Sequence, residues 1–378
     1  MKKTPFLMTA GPTVVKENVR LTRAKECTNP DLDPDFYDFY KNLCKKIGKI
    51  IETEQEVRIL SGEGILGLEA ACASFTEHGD RVLVIDNGIF GEGFGDFVKI
   101  YGGDPVYFKG SREHGIDICD LENFLKNDNE FKYATIIHCD TPSGVLNPIR
   151  EICKTLKKYG IATVVDAVSS IGGEEVKVDE WEIDICLGAS QKVLSAPPGL
   201  TFLSISDTAW EIMENRKSPI AGFYCNLLIW KDYYEKKWFP YTMPISDIEG
   251  LNAAVGNYFS ENTIERHKKI ALAFRKALTE GGLELYTKNS YSNTVSVIKV
   301  PESVDEKKLR KDLLQNHNIM ISGAFGYLEG KVIRVGHMGE GAREYSVFHV
   351  LKALEKELTV QGFQLKKSLI ANFVETLK

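Results

Sequence analysis

The sequence predicts an α/β protein: a large domain on a mostly parallel sheet, followed by a smaller α+β unit. Three observations carry this. Between residues 59 and 206, short apolar runs alternate with helix-patterned segments. The runs are apolar throughout rather than at every second position, as expected of strands covered on both faces. Around 230–244 the composition turns aromatic, Lys-rich and Pro-containing (WKDYYEKKWFPYTMP), and a different order of elements follows. A chain of 378 residues has room for one large and one smaller domain.

Residues 59–71 (ILSGEGILGLEAA) end a strand, make a glycine-rich turn and open a helix in which Leu68, Ala71, Cys72 and Phe75 share a face. RVLVIDNG (81–88) is a strand ending in a turn, and YATIIHCDT (133–141) is another. Over 149–159, Ile149, Ile152, Cys153 and Leu156 fall on one helical face. IATVVDAVS (161–169), DICLG (184–188) and LTFLSIS (200–206) are the next strands, with helices between strands. Residues 230–244 read as a long loop or crossing segment. A long helix is expected over 246–280, with a break near Asn262. NTVSVIKV (293–300) and KVIRVGH (331–337) are strands, 305–316 and 345–357 helices, and the tail from Gln361 one more amphipathic helix. The division this suggests is an N-terminal arm (1–20), a large domain (21–260) and a small C-terminal domain (261–378).

Composition narrows the function. The net charge of −6 comes from 47 Lys+Arg against 53 Asp+Glu, with no basic block, so nucleic acid is not an expected partner. No apolar stretch approaches a membrane span, and the basic start MKKTPFLMTA is too poor in apolar residues for a signal peptide. The 8 cysteines form no CxxC pair and lie in core-like segments. They read as buried free thiols of a cytoplasmic protein, with no spacing suited to a metal.

In open α/β sheets, ligands bind beyond the carboxyl ends of the strands. Those ends carry Asp166; Thr141 and Ser143 in DTPSG; Gln191 and Lys192 after DICLGAS; Glu63 and Gly64 at a helix start; and Asn87, Gly88 and Phe90 after RVLVID. Lys192 follows an apolar strand and precedes the turn VLSAPPGL. Partial desolvation there lowers its pKa from about 10.4 and makes the amine nucleophilic, able to form Schiff bases. Its plain alternative is a solvent-exposed strand-end lysine. An aspartate such as Asp166 can merely cap a turn, but beside a Schiff-base lysine it can keep a pyridine nitrogen protonated. Phe90 can stack on such a ring or simply pack in the core. The string FGEGFGDF (90–97) has GxGxG rather than GxGxxG, which argues against a nicotinamide enzyme.

Taken together, TAGPT (9–13), SGEGILGLEAA (61–71), NGIFGEG (87–93), DTPSGVLNPI (140–149), VVDAVSSIGG (164–173), GASQKVLSAPPGL (188–200) and RVGHMG (334–339) resemble the class V aminotransferases of the fold type I pyridoxal-phosphate enzymes. The resemblance implies a large domain with a mostly parallel seven-stranded sheet and a smaller C-terminal α+β domain. It implies pyridoxal 5'-phosphate as cofactor, or unphosphorylated pyridoxal or pyridoxamine at the same site. Lys192 would form the Schiff base and shuttle the proton, Asp166 would pair with the pyridine nitrogen, and Phe90 would stack on the ring. Thr141 would bond the ring's oxygen side, with Gln191 beside the lysine. Glu63, Gly64, Ile65 and Val168 would line the cofactor site, and Arg334 would clamp the substrate carboxylate. Thr242 would reach the neighbouring subunit's site, in a homodimer with shared active sites or a tetramer of such dimers. The reaction would be ping-pong between a small amino acid and an oxo acid, with alanine/pyruvate or glyoxylate as inherited expectations.

Glu63 departs from the common family pattern, where a small or hydroxyl residue accompanies the phosphate. A carboxylate repels a dianionic phosphate but accepts a hydrogen bond from a neutral hydroxymethyl group. The sequence resembles the pyridoxamine–pyruvate aminotransferase branch, which uses unphosphorylated vitamers, in GE before LGLEAA, GFG (93–95), DTPSG, FPYT (239–242) and GHMG. That branch carries a second arginine in the loop before the last motif; Phe325 of SGAFGYLEG stands in its place here. The other reading of Glu63 is a helix-start acid favoured by the dipole, with a phosphate still held by backbone N–H groups. That reading gives a conventional alanine– or serine–glyoxylate aminotransferase. A lyase or desulfurase needs a reactive loop cysteine, for which Cys225 is the nearest candidate. A non-enzymatic pyridoxal-binding regulator would need an attached domain, for which no spare segment is long enough.

Overall fold

The computed structural model describes residues 4–378. Its centre is a seven-stranded sheet. The strands are β1 (Glu56–Ser61), β2 (Arg81–Asp86), β3 (Asp104–Lys109), β4 (Tyr133–Ile137), β5 (Ala162–Asp166), β6 (Ile185–Ala189) and β7 (Leu200–Ile205). Their order across the sheet is β1-β7-β6-β5-β4-β2-β3. Neighbours from β6 to β3 pair in parallel, while β7 runs antiparallel to both β6 and β1. Strands β4 to β7 are buried at every position, which is why they read as unbroken apolar runs.

Helices cover both faces: α1 (Pro34–Ile50), α2 (Gly64–Phe75), α3 (Ile89–Ile100), α4 (Ile118–Asn127) and α5 (Ile149–Lys157). Strand β3 carries a weak apolar pattern, whereas α1 and α4 bury one clear face (Phe36, Tyr40, Leu43 and Ile47; Leu121 and Leu125); the sequence reading names none of the three. The string FGEGFGDF lies in α3, whose Gly95 backs directly onto Tyr107 of β3. The expectation of helices between successive strands fails twice: residues 167–184, between β5 and β6, form turns without an α-helix. Between β6 and β7 the chain makes only the loop 190–199, because β7 returns antiparallel beside β6 and needs no crossover. That loop carries Lys192.

The segment 230–244 is turn and loop, apart from a short 3₁₀ turn at Leu228–Trp230. The expected long helix is two helices, α6 (Ile245–Phe259) and α7 (Thr263–Glu280). Asn262 caps the second, its side-chain oxygen accepting from the Glu265 N–H at 3.2 Å. The C-terminal unit has a three-stranded antiparallel sheet, β8 (Val295–Lys299), β9 (Ser322–Gly323) and β10 (Val332–Gly336), in the order β8-β10-β9. Helices α8 (Glu306–His317), α9 (Glu344–Val360) and α10 (Leu369–Leu377) pack with it.

One core runs through the large sheet, from Val19 to Val255. A second joins α7 to the C-terminal sheet and helices, and includes Met8. Phe6–Leu7 pairs in parallel with Ile319–Met320, so the start of the chain packs on the C-terminal unit before crossing back to the large sheet. A small apolar cluster between the units contains Ala10, Cys139, Val193, Val295 and Met338. The cysteine expectation needs one correction. Five thiols are buried, but Cys27 and Cys119 are exposed, since one lies in the loop before α1 and the other on the outer face of α4. Among the described residues no helix is long and apolar enough to cross a membrane, and no cluster of His, Cys, Asp and Glu could hold a metal.

Candidate active site

Nine of the residues expected at the site line one small cavity, about 70 Å³, at the carboxyl ends of the parallel strands: Glu63, Gly64, Ile65, Phe90, Thr141, Asp166, Val168, Gln191 and Lys192. Leu68, Cys139 and Ser169 line it as well, and no local sequence pattern marks them as site residues. A larger cavity of about 870 Å³ is lined by Lys109, His114, Asp117 and Asn147. It contains neither Lys192 nor Asp166, so the groups able to do chemistry sit in the smaller one.

Lys192 lies at the start of the β6–β7 loop. Its Nζ donates to the carbonyl of Ala10 at 2.7 Å, and the Thr13 hydroxyl donates to the Lys192 carbonyl at 2.8 Å. The lysine is therefore enclosed by the N-terminal segment rather than exposed at a strand end. Gly11, with φ +96°, makes this approach possible: a Cβ there would stand 2.6 Å from Lys192 Cδ. Burial lowers the Lys192 pKa, as does the positive charge of Arg334, while Asp166 pulls the other way. The result is an amine more readily neutral, and so more nucleophilic, than a surface lysine.

Asp166 ends β5, and its Oδ1 accepts from the Val168 N–H at 2.8 Å. Burial raises its pKa to about 7; the Val168 bond and Lys192 oppose the shift, and Asp140 and Glu63 add to it. The fold thus holds this proton more tightly than the unfolded chain does. The stabilising contribution is complete below about pH 4 and is lost as pH rises to about 7. Asp166→Asn keeps the Val168 bond and removes the buried charge. In the ligand-free protein it should leave stability at pH 4 near that of the unaltered chain and raise it at pH 8, by up to roughly 4 kcal/mol. Urea melts at the two pH values check this, and equal stability changes at both would refute it.

Glu63 is the N-cap of α2. One carboxylate oxygen accepts from the Ile65 N–H at 3.1 Å, and the other accepts from Gln191 Nε2 at 3.1 Å. It therefore both caps the helix and lines the cavity. Gly64 is small for packing reasons, since a Cβ would meet Val168 at 3.1 Å and Ala189 at 3.4 Å.

Phe90 stands on the first turn of α3, and its N–H donates to Asp140 Oδ1 at 3.0 Å. Asp140, fully buried, also accepts from the Ser143 hydroxyl at 2.7 Å. It fixes Phe90 against the DTPSG turn that carries Thr141. The sequence offered Asp140 only as the first letter of that motif, with nothing to mark it as an anchor.

Arg334 and Thr242 do not line this cavity. Arg334, on β10, donates from Nε to the Gly323 carbonyl at 2.6 Å. Its guanidinium lies 5.9 Å from the Phe325 ring, which meets Phe90 edge-on at 6.1 Å. The arginine thus reaches the site across one intervening aromatic residue. Thr242 donates to Asp31 at 2.9 Å, away from Lys192. Cys225 is half-buried, and burial raises its pKa, the reverse of what a reactive thiolate needs.

The lining suits a pyridoxal-type group. It offers an amine, a buried acid, an aromatic face, and Gln191 Oε1, a buried acceptor with no partner of its own. Lys192 would hold the group covalently, Asp166 would face a ring nitrogen, and Phe90 would cover the ring.

Several known proteins are similar to this chain in sequence or fold. The sequence profile of the family described as "Aminotransferase class-V" matches residues 20–328. An uncharacterised aminotransferase of Methanocaldococcus jannaschii is 35% identical over 368 residues, covering 96% of this chain and 95% of that protein. The pyridoxamine–pyruvate transaminase of Mesorhizobium japonicum is 33% identical over 365 residues, covering 95% and 92%. The crystal structure of ureidoglycine–glyoxylate aminotransferase from Bacillus subtilis superposes with a TM-score of 0.95 at 26% identity, over 100% of this chain and 98% of that one.

Proposed function

The chain belongs to the class V aminotransferase family, and we propose that it moves an amino group between unphosphorylated pyridoxamine and a small 2-oxo acid, with pyruvate giving alanine. Enzymes of this family depend on pyridoxal 5'-phosphate. The finer reading rests on Glu63. Its carboxylate takes up the Ile65 N–H, one of the free donors with which a helix start would cradle a phosphate. It also sets a negative charge where a dianion would be repelled. A neutral hydroxymethyl group can instead donate to it. The similarity to a pyridoxamine–pyruvate transaminase points the same way.

When bound, the pyridoxal or pyridoxamine ring supplies an electron sink for the carbanion left at the substrate carbon. The chain's own residues do the rest. Asp166 would face the ring nitrogen and favour its protonated form. Lys192 would hold the pyridoxal form through its amine, and that amine would take a proton from one carbon and return it to the other. Phe90 shields one ring face from water, while Thr141 and Gln191 orient polar groups. Arg334, with its Nε held by Gly323, turns its remaining N–H groups to the oxo acid's carboxylate. In this reading the active unit is a cytoplasmic homodimer, and Thr242 completes the neighbouring subunit's site. The second reading, an alanine– or serine–glyoxylate aminotransferase using the phosphorylated cofactor, draws on the fact that Glu63 is also an ordinary N-cap for α2.

The test is a titration of the ligand-stripped protein with pyridoxal and, separately, with pyridoxal 5'-phosphate, following the visible absorbance band. Pyridoxal should bind at least about tenfold more tightly, and pyridoxamine with pyruvate should yield alanine. Tight binding of the phosphate alone would overturn the vitamer reading in favour of the second.

A further inference from the structure

We propose that Ser195 is a positioning residue for Lys192: its hydroxyl ties the lysine loop, and the 10–13 turn that receives the lysine amine, to the C-terminal unit. This rests on the proposed role of Lys192, through which Ser195 acts.

Ser195 is buried and lies in the left-handed backbone region, at φ +57°. That conformation is disfavoured for a residue with a Cβ, and glycine or asparagine would adopt it more readily. Another residue stays in it only where its surroundings hold it there. Here they act through the hydroxyl. The Glu340 N–H donates to Ser195 Oγ at 3.0 Å. The Thr13 hydroxyl donates to the Lys192 carbonyl at 2.8 Å. With that proton spent, the serine is the donor in the 3.3 Å contact between Ser195 Oγ and Thr13 Oγ1. The bonds therefore run one way, from Glu340 through Ser195 and Thr13 to Lys192. Loss of the serine hydroxyl breaks this chain and leaves the Glu340 N–H without its acceptor.

Both ends of the chain are fixed independently. On the C-terminal side, Gly339 lies against the serine at φ +56°, and a Cβ there would collide with Ser195 Oγ. Its N–H donates to His267 Nε2 at 2.9 Å and its carbonyl accepts from Arg266 Nη1 at 2.8 Å, so α7 holds this turn in place. On the other side, the Thr13 N–H donates to the Gln191 carbonyl at 3.1 Å. The same 10–13 turn offers the Ala10 carbonyl to Lys192 Nζ. Ser195 thus stands where the N-terminal segment, the lysine loop and the C-terminal unit meet. Without its hydroxyl the Ala10 carbonyl is no longer held against the amine. A carbonyl acceptor favours the charged amine, so its release lets the amine lose its proton at lower pH and frees it to turn from the reacting carbon. The other groups that act on the amine, Asp166, Cys139, Arg334 and Glu63, make no hydrogen bond to Ser195.

The experiment follows acetylation of Lys192 by acetic anhydride against pH in the ligand-free chain, read by peptide mass spectrometry. Alongside it, kcat and KM for pyruvate are measured with pyridoxamine as donor. The variants are Ser195→Ala, Ser195→Gly, Thr13→Val and Thr13→Ser. In the first three the labelling midpoint should fall by at least about half a pH unit. Their kcat should fall at least about tenfold, with KM for pyruvate within about twofold because Arg334 is untouched. Thr13→Ser keeps the hydroxyl and should keep both values. Ser195→Gly relieves the backbone and so separates the hydroxyl from the fold; it should melt no lower than Ser195→Ala. Recovery of midpoint and kcat in Ser195→Gly but not in Ser195→Ala would make backbone conformation the cause and overturn the inference. An unmoved midpoint in both serine variants overturns it as well. If the unaltered chain shows neither turnover nor an absorbance band with pyridoxal, the role of Lys192 fails, and the labelling midpoints still decide that of Ser195.

Discussion

Lys192→Ala should lose transamination by about 10⁴-fold or more and should show no visible absorbance band with either pyridoxal or its phosphate. The lysine is proposed both as the nucleophile that holds the ligand and as the group that moves the proton. Removing it takes away both contributions at once, and neither neighbour can replace them. Cys139, the nearest other nucleophile in the cavity, is held as a neutral thiol by burial, which pushes its pKa up to about 12. The fold should survive. The side chain contributes one hydrogen bond, to Ala10, worth about 1 kcal/mol net. A variant that keeps its melting temperature within a few degrees but loses band and turnover supports the role. Turnover within tenfold of the unaltered chain would refute it.

The second large effect is expected at Glu63. Glu63→Gln keeps an oxygen for the Ile65 N–H and removes the charge. Like charges near a protein surface repel by roughly 3 kcal/mol at about 5 Å. The ratio of phosphorylated to free vitamer affinity should therefore rise by about 10- to 100-fold. Weakening of the cap costs about 1 kcal/mol of stability but acts on both ligands alike, so the ratio isolates the electrostatic effect. Parallel titrations of the variant with both vitamers measure it. An unchanged ratio would leave Glu63 as a helix cap and nothing more.

Much of the site was legible because a parallel sheet turns local pattern into position. Once 133–141, 161–169 and 184–188 are recognised as strands, their last residues must share one edge, and Thr141, Asp166 and Lys192 meet there. Glu63 and Phe90 are found in the same way, since each opens a helix just after a strand. Elsewhere the reading was poorer, for different reasons. Strand β3 is only partly buried, and α1 precedes the first strand the sequence revealed. The reversal of β7 left no trace in its composition, because antiparallel and parallel strands buried on both faces are equally apolar.

The sequence by itself determined the class of fold, the mostly parallel order of its central strands and the acid–lysine pair at their ends. These follow from hydrophobic period and chain order, which are local properties. Only the tertiary structure decided how that pair is held and what stands in front of it. Ala10 and Lys192 are 182 positions apart, yet the carbonyl of one receives the amine of the other. Asp140 anchors the backbone of Phe90 across 50 positions. Phe325 comes to lie between Phe90 and Arg334 because a hairpin of the C-terminal unit folds over the edge of the large sheet. Such contacts are set by the packing of one unit on another, and no stretch of neighbouring residues encodes them.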